Sequence, residues 1–189
     1  MKKVNWVAFF VAFMMIGLST QVLASSIPRK KQTTLNLYLT ALQAYEKWQI
    51  APDTVKVLDV RTPGEYIFVG HASMAVNIPV KFLEDTMPPG TSSIKMAMNQ
   101  KFLAQVKERF DTSDTILVMC RSGGRSAAAV NLMAQAGFKN VFNIIDGFEG
   151  DKLRMADSYN DGKRVVNGWR NSGAPWTYSL KETLVYTGK

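Results

Sequence analysis

The chain of 189 residues contains one cysteine and one histidine, so it lacks the ligand sets from which zinc and most transition-metal sites are built. A single cysteine also cannot form an internal disulfide. No run of five or more like charges occurs, and lysines and arginines are scattered along the chain although the formal net charge is +8. Scattered positive charge gives little support to nucleic-acid binding. We therefore expect no metal, no cofactor and no nucleic-acid partner.

The N-terminus carries an apolar run, Trp6 to Leu18, whose 13 residues fall short of the roughly 20 that span a bilayer. Two lysines precede the run, and small residues up to Ala24 follow it. This pattern predicts a signal peptide over residues 1–24 and export, to the periplasm, without lasting membrane association after cleavage. An uncleaved anchor is the alternative. Residues 25–189 are enough for a single domain, and their formal charge would be +6.

The single cysteine, Cys120, lies where an apolar run ends and a loop rich in glycine and arginine begins. The run, Thr115 to Met119, is typical of a buried parallel strand, and Ala127 to Ala136 is typical of the helix that follows. Backbone N–H groups converge at the start of a helix, and its dipole favours an anion there. Glycines let the backbone pack around that anion, and arginines add positive charge. The pattern predicts a thiolate site, and an ordinary core cysteine is the alternative. The loop comprises Arg121, Ser122, Gly123, Gly124, Arg125 and Ser126.

Further strands and helices alternate along the chain. Apolar spacing predicts helices at Leu35 to Trp48 and Asn99 to Phe110, strands at Val55 to Val60, Met74 to Ile78 and Val141 to Ile145, and a helix that begins with a capping box at Thr62, Pro63 and Glu65. This alternation predicts an α/β fold, a doubly wound parallel sheet flanked by helices on both faces. Ligands bind such sheets beyond the carboxyl ends of the strands, where Cys120 would lie.

Three segments of the chain, in this order, resemble the successive motifs of a rhodanese domain: LDVRTPGEY at 58–66, GHASMAVNIP at 70–79 and CRSGGRS at 120–126. The resemblance covers residues 35–176. It implies a rhodanese-like fold and a sulfurtransferase in which Cys120 carries sulfane sulfur as a persulfide. The N–H groups of residues 121–126 would hold the outer sulfur, and Arg121 and Arg125 would face a small anionic donor such as thiosulfate. The acceptor would be a thiol or a protein, and no cofactor would be needed.

The sequence departs from the family pattern at three places. Ala72, Ser73 and Met74 replace the usual isoleucine, proline and glycine, and Phe148 replaces the second glycine of a pair that begins at Gly147. An insertion over residues 151–168 then precedes a closing segment, WRNSGAP at 169–175. Long loops are tolerated more often than they are functional, so we expect the insertion to be an irregular surface segment. The alternative is that it covers the cysteine loop and shapes access to it.

Other functions remain open at this level. Cysteine-dependent phosphatases resemble this fold but place an arginine six positions after the cysteine, where this chain has Ser126 and carries Arg125 one position earlier. This spacing favours sulfur transfer over phosphoryl transfer. A sulfur carrier or protein-binding module without turnover, and a redox sensor whose thiol pairs with a partner, are further alternatives. We expect His71 to be a hydrogen-bonded structural residue, and Asp59 and Arg61 to form a structural ion pair.

Overall fold

The computed structural model describes residues 27–85, 90 and 94–188, and the expected signal peptide therefore lies outside the described part of the chain. The strands are β1 Tyr38–Leu39, β2 Val55–Asp59, β3 His71–Ala72, β4 Val76–Asn77, β5 Lys81–Leu83, β6 Met96–Met98, β7 Thr115–Met119, β8 Val141–Ile144 and β9 Trp176–Thr177. The α-helices are α1 Ala41–Ile50, α2 Pro63–Phe68, α3 Phe102–Arg109 and α4 Gly124–Gln135. In the part of the chain that the structure describes, two 3-10 turns lie at Arg29–Lys31 and Trp169–Asn171.

Five strands form one parallel sheet in the order β1-β8-β7-β2-β4. The central strand, β7, alternates between the two faces: Ile116 and Val118 join one core, and Leu117 and Met119 join the other. Helices α3 and α4 cover the first face, and α1 covers the second. Since successive side chains of a strand point to opposite faces, an unbroken apolar strand needs helices on both sides. The predicted doubly wound α/β fold is confirmed.

Most predicted elements occur close to where the sequence places them, but the first helix is shorter than predicted. Residues 38–39 form the edge strand β1, and α1 begins only at Ala41. The reason is local: Thr40 accepts a hydrogen bond from the backbone N–H of Gln43, whose side chain accepts one from the N–H of Thr40. This capping box fixes the start of the helix. The capping box predicted at Thr62 and Glu65 is present at the start of α2.

The C-terminal end of the insertion is hydrogen-bonded to Asp146, the second residue after β8. This carboxylate is 4% exposed and accepts hydrogen bonds from the backbone N–H groups of Ala41 and Gly168, at 2.8 and 3.0 Å. Burial raises the pKa of Asp146, although both N–H groups act in the opposite direction. Residues 151–168 form no regular helix or strand apart from an antiparallel bridge that pairs Lys152 with Arg164. Within the described residues, the helices are too short or too polar to cross a bilayer.

Candidate active site

Cys120 is the first residue after β7, at the carboxyl edge of the sheet, and it is 2% exposed. Helix α4 begins four residues later, at Gly124. The predicted start, Ala127, was wrong by one turn, because Gly124, Arg125 and Ser126 already belong to the helix. The earlier start leaves a turn of only three residues between the thiol and the positive end of the helix dipole.

Gly123 makes this tight turn possible. Its φ is +93°, in the left-handed region, and a Cβ at this position would lie 2.2 Å from the carbonyl oxygen of Ile145. Both conditions require glycine. In this conformation the backbone N–H of Gly123 donates to Sγ of Cys120 over 3.2 Å. One backbone donor is therefore already directed at the sulfur.

The segment after β8 fixes the cysteine loop from the other side. The backbone N–H of Phe148 donates to the carbonyl of Cys120 at 2.8 Å, and that of Glu149 donates to the carbonyl of Arg121 at 3.0 Å. Gly147 has a φ of +65°, and a Cβ there would lie 2.4 Å from the carbonyl oxygen of Cys120. The two loops are thus in backbone contact, which leaves little freedom for the position of the thiol.

Buried hydrogen bonds of Asn143, on β8, and of Ser126 hold the cysteine loop in place. The amide nitrogen of Asn143 donates to the carbonyls of Lys31 and Gly123, at 2.9 and 3.2 Å, so its Oδ1 faces Ser126 Oγ as an acceptor at 2.6 Å. Ser126 Oγ also lies 3.4 Å from Sγ of Cys120. Because a hydroxyl has one proton, Ser126 can donate to Asn143 or to the sulfur, but not to both at once.

Arg125 forms a bidentate ion pair across the site. Its Nη1 and Nη2 donate to the two carboxylate oxygens of Glu65 on α2, at 2.7 and 2.6 Å. Burial alone would raise the pKa of Glu65, but the hydrogen bonds and positive charge of Arg125 outweigh it and leave the pKa below its ordinary value. Burial alone would lower the pKa of Arg125, and Glu65 together with a charge on Cys120 raises it instead. The guanidinium therefore couples α2 to the cysteine loop.

The remaining loop residues are more open. Arg121 is exposed, and Ser122 and Gly124 are half-buried. The structure thus brings Cys120, Gly123, Arg125 and Ser126 together, whereas the side chain of Arg121 faces solvent at the rim. Among the described residues, no three acidic, histidine or cysteine side chains come together as a metal site.

The other polar residues considered from sequence have structural surroundings. Asp59 and Arg61 form a fully buried ion pair with a 2.6 Å contact, the arrangement that their spacing predicts. His71 is 2% exposed, its Nδ1 lies 3.0 Å from the carbonyl oxygen of Tyr66, and its ring stacks on that tyrosine at 3.8 Å between centroids.

Sequence reasoning missed two residues that hold the site. Glu65 was interpreted only as part of a capping box, yet it also binds Arg125, which is 60 positions away in sequence. Asn143 supports Ser126 and Gly123 from within an otherwise apolar strand. A lone amide in a buried strand must find partners, and this signal could have marked Asn143 as a support residue.

Comparison with known proteins agrees with this architecture. A model of the rhodanese-like domain family matches residues 41–153. The Arabidopsis thaliana protein named thiosulfate sulfurtransferase 16, chloroplastic, is 43% identical over 93 residues, which are 49% of this chain and 70% of the relative. An uncharacterized protein of Rickettsia prowazekii is 34% identical over 122 residues, 65% of this chain and 82% of the relative. The crystal structure of Rv0390 from M. tuberculosis superposes on this structure with a TM-score of 0.57 at 30% sequence identity. The match covers 75% of this chain and 96% of the Rv0390 chain.

Proposed function

Since the chain belongs to the rhodanese-like domain family, we propose that it is a sulfurtransferase whose catalytic residue is Cys120. The observation that carries this proposal is the position of Sγ at the N-terminus of α4, 3.2 Å from the N–H of Gly123. The N–H of Gly123 and the dipole of α4 favour an anionic sulfur at this position. A persulfide is also anionic, so the same donors would stabilise the intermediate as well as the starting thiolate.

The first step is nucleophilic attack by the Cys120 thiolate on the outer sulfur of a donor such as thiosulfate. A bond forms between Sγ and that sulfur, the sulfur–sulfur bond of the donor breaks, and sulfite leaves with the electron pair. The donor is a dianion, and the exposed Arg121 together with Arg125 supplies positive charge at the loop. No external oxidant is consumed.

The second step returns the enzyme to its starting state. A thiolate acceptor attacks the outer sulfur of the Cys120 persulfide, a new bond forms to the acceptor, and Cys120 leaves as thiolate. Neither step requires a separate general base if donor and acceptor enter as anions. This agrees with a histidine that is buried against Tyr66 rather than placed at the sulfur.

The ion pair of Arg125 argues against phosphoryl transfer. A phosphate-binding arginine would need its guanidinium free for bidentate contact with the phosphate. Here both terminal nitrogens donate to Glu65. We expect no turnover of aryl phosphates, which an assay with p-nitrophenyl phosphate would check.

The proposal is tested by intact mass spectrometry of the purified protein before and after thiosulfate, with Cys120→Ser as control. We expect the wild type to gain one sulfur atom, and to lose it to cyanide with release of thiocyanate. Failure of the wild type to gain sulfur from either thiosulfate or a low-molecular-weight persulfide would refute the proposal.

We also propose export, on the charge and apolar pattern of residues 1–24. The expected result in a Gram-negative host is a periplasmic product whose N-terminal residue is Ser25. An intact N-terminus on protein recovered from the cytoplasm would refute it.

A further inference from the structure

A basic cleft of about 330 Å³ opens beside the cysteine loop. Three parts of the chain form it: the N-terminal 3-10 turn, the cysteine loop and the insertion. Its lining residues are Lys30, Lys31, Ser122, Asp151, Lys152, Arg154 and Arg164. Five of these seven side chains are cationic and one is anionic, so the cleft favours a ligand with several negative charges.

Three of the cations are available to such a ligand. Asp151 neutralises Lys31, with 3.3 Å between Nζ and Oδ1. Lys30, Lys152 and Arg154 are exposed, and within the described residues none of them has an acidic partner within ion-pair distance. Positive side chains that repel one another without a counterion lower stability, and an anion bound between them would relieve the repulsion.

The insertion that supplies two of these cations is internally bonded. The backbone N–H of Leu153 donates to the carbonyl of Lys163 at 2.8 Å, and the backbone N–H of Gly162 donates to the carbonyl of Leu153 at 2.9 Å. At its base, the N–H of Asp151 donates to Oδ1 of Asn167 at 2.7 Å. These bonds fix the backbone from which Lys152 and Arg154 extend, which reduces the entropic cost of ordering this segment on binding.

The same insertion also exposes apolar side chains. Met155 is 58% exposed, Tyr159 90%, Val165 42% and Val166 55%. Four exposed apolar side chains on the segment of 18 residues that also supplies Lys152 and Arg154 offer contact area to a bound protein. A small anion bound between the cations would make no contact with these apolar side chains.

The cleft is placed to act with Cys120. Ser122 belongs to both the cleft and the cysteine loop, and the carbonyl of Lys31 accepts from Asn143, which also binds Gly123. A Cβ at Gly124, the first residue of α4, would lie 3.7 Å from the carbonyl oxygen of Lys30. The N-terminal wall of the cleft therefore packs directly on the start of α4.

We propose that this cleft docks an acidic segment of a partner protein whose cysteine accepts sulfur from Cys120, an inference that rests on the proposed sulfurtransferase function. The acidic side chains contact Lys30, Lys152 and Arg154, and the exposed apolar side chains of the insertion contact the flanking residues. A partner protein fits better than an anionic membrane surface because the acceptor must bring a thiolate to the sulfur on Cys120, in the loop that includes Ser122, and phospholipid headgroups carry no thiol.

The test uses two cysteine peptides of equal length, one with several glutamates and the other with glutamines in their place. We expect wild-type persulfide to transfer sulfur to the acidic peptide with a kcat/KM on the order of tenfold higher, an advantage that falls with added salt. The variant Lys152→Glu/Arg154→Glu should abolish this preference. The matched control, Lys107→Glu/Lys139→Glu, changes the net charge equally at exposed positions outside the cleft and should retain it.

Several outcomes would overturn the inference. They are equal use of both peptides by the wild type, equal losses in the two charge-reversal variants, and a matching loss of thiosulfate–cyanide turnover in Lys152→Glu/Arg154→Glu, which would assign the cleft to the small donor. Cleft-dependent binding to phosphatidylglycerol vesicles without a peptide preference would assign it to membranes instead.

Fluorescence anisotropy with Cys120→Ser separates docking from chemistry. If this variant binds the labelled acidic peptide, and binding is lost when Lys152→Glu and Arg154→Glu are added, docking is supported even where the wild type transfers no sulfur. If wild-type turnover is normal and Cys120→Ser binds neither peptide, the docking inference fails while the proposed function stands. Equal melting temperatures would show that the charge-reversal variants are folded.

Discussion

Two arginine–carboxylate pairs flank the carboxyl end of β2, and they differ in burial. Arg61 and Asp59 are both 0% exposed, whereas Arg125 and Glu65 are 16% and 19% exposed. Both pairs have 2.6 Å contacts. The closest distance therefore does not distinguish a structural pair from one that serves the site, and the surroundings of each pair must do so.

The surroundings of Arg61 are those of a core residue. Its Nη2 donates to Asp59 and to the carbonyl of Gly70, and the guanidinium stacks on Phe148 at 4.1 Å from the ring centroid. Phe148 is the residue that replaces a family glycine, so this departure from the pattern supplies a packing surface for the arginine. By contrast, Arg125 lies on the helix that carries the cysteine loop, and a negative charge on Cys120 influences its pKa. The charge on Cys120 therefore acts on the second pair, and the charge of Asp59 also raises the pKa of Arg125.

The largest effect should come from breaking the buried pair. Asp59→Ala would leave Arg61 as an uncompensated charge in the core, and removal of one partner of such a pair costs about 3–5 kcal/mol. We expect this loss in the free energy of unfolding, measured by urea denaturation. Turnover per folded molecule should change much less than stability, because the side-chain hydrogen bonds of the pair join the two residues to each other and to Gly70, not to the cysteine loop.

A double variant, Asp59→Leu/Arg61→Met, provides the control. Replacing both charges with apolar groups removes the unpaired guanidinium, so its stability should lie much closer to the wild type than that of Asp59→Ala. If Asp59→Ala were as stable as the wild type, Arg61 would not depend on this partner and the contrast between the two pairs would disappear.

The second pair is tested with one variant on each side. Arg125→Ala and Glu65→Gln both break the ion pair, but only Arg125→Ala removes positive charge from the loop. We expect Arg125→Ala to lower kcat/KM for thiosulfate by about tenfold or more, about 1.4 kcal/mol per tenfold, because positive charge that acts on the sulfur and on the dianionic donor is lost. Glu65→Gln should retain most of the activity because it leaves the guanidinium in place.

Equal losses in the two variants would show that the ion pair acts by positioning α2 and α4, and that Arg125 does not act on the donor by its charge. Unchanged kinetics in Arg125→Ala would remove the residue from the donor site altogether. Circular dichroism of both variants would establish that each is folded before the rates are compared.

The architecture was predictable from sequence where the relevant signals are local. The alternating strands, the glycine-rich turn after Cys120 and the capping box at Thr62 each depend on neighbouring residues, and each is present. The first helix was predicted too long because Leu35 and Leu39 fit a helical spacing, although Leu35 precedes β1 and Leu39 belongs to it. A second capping box at Thr40 and Gln43 was present in the sequence and marks the true start.

The features that could not be predicted from the sequence depend on long-range packing. Nothing in the local sequence pairs Glu65 with Arg125, or places Lys30 and Lys31 against the insertion, because these contacts join segments that are 60 and 120 positions apart. The insertion lacks apolar periodicity, so its hairpin-like bonding and its position beside Ser122 followed only from the fold.

The smallest expected effect concerns pH and again separates the two pairs. The pKa of Glu65 in the folded protein lies below its ordinary value of 4.5. A carboxylate of this kind stabilises the fold fully above 4.5, and its contribution is lost as the pH falls below 4.5 through the lower, folded-state pKa. The free energy of unfolding, measured between roughly pH 6 and pH 3, should therefore fall less steeply in Glu65→Gln than in the wild type.

Asp146, whose raised pKa acts with the opposite sign, is present in both proteins and cancels from the comparison. Glu108→Gln, a change of an exposed glutamate on α3, should leave the wild-type slope unaltered. Identical slopes in all three proteins would mean that Arg125 does not stabilise the ionised form of Glu65, and the half-buried pair would then have no electrostatic role at the cysteine loop.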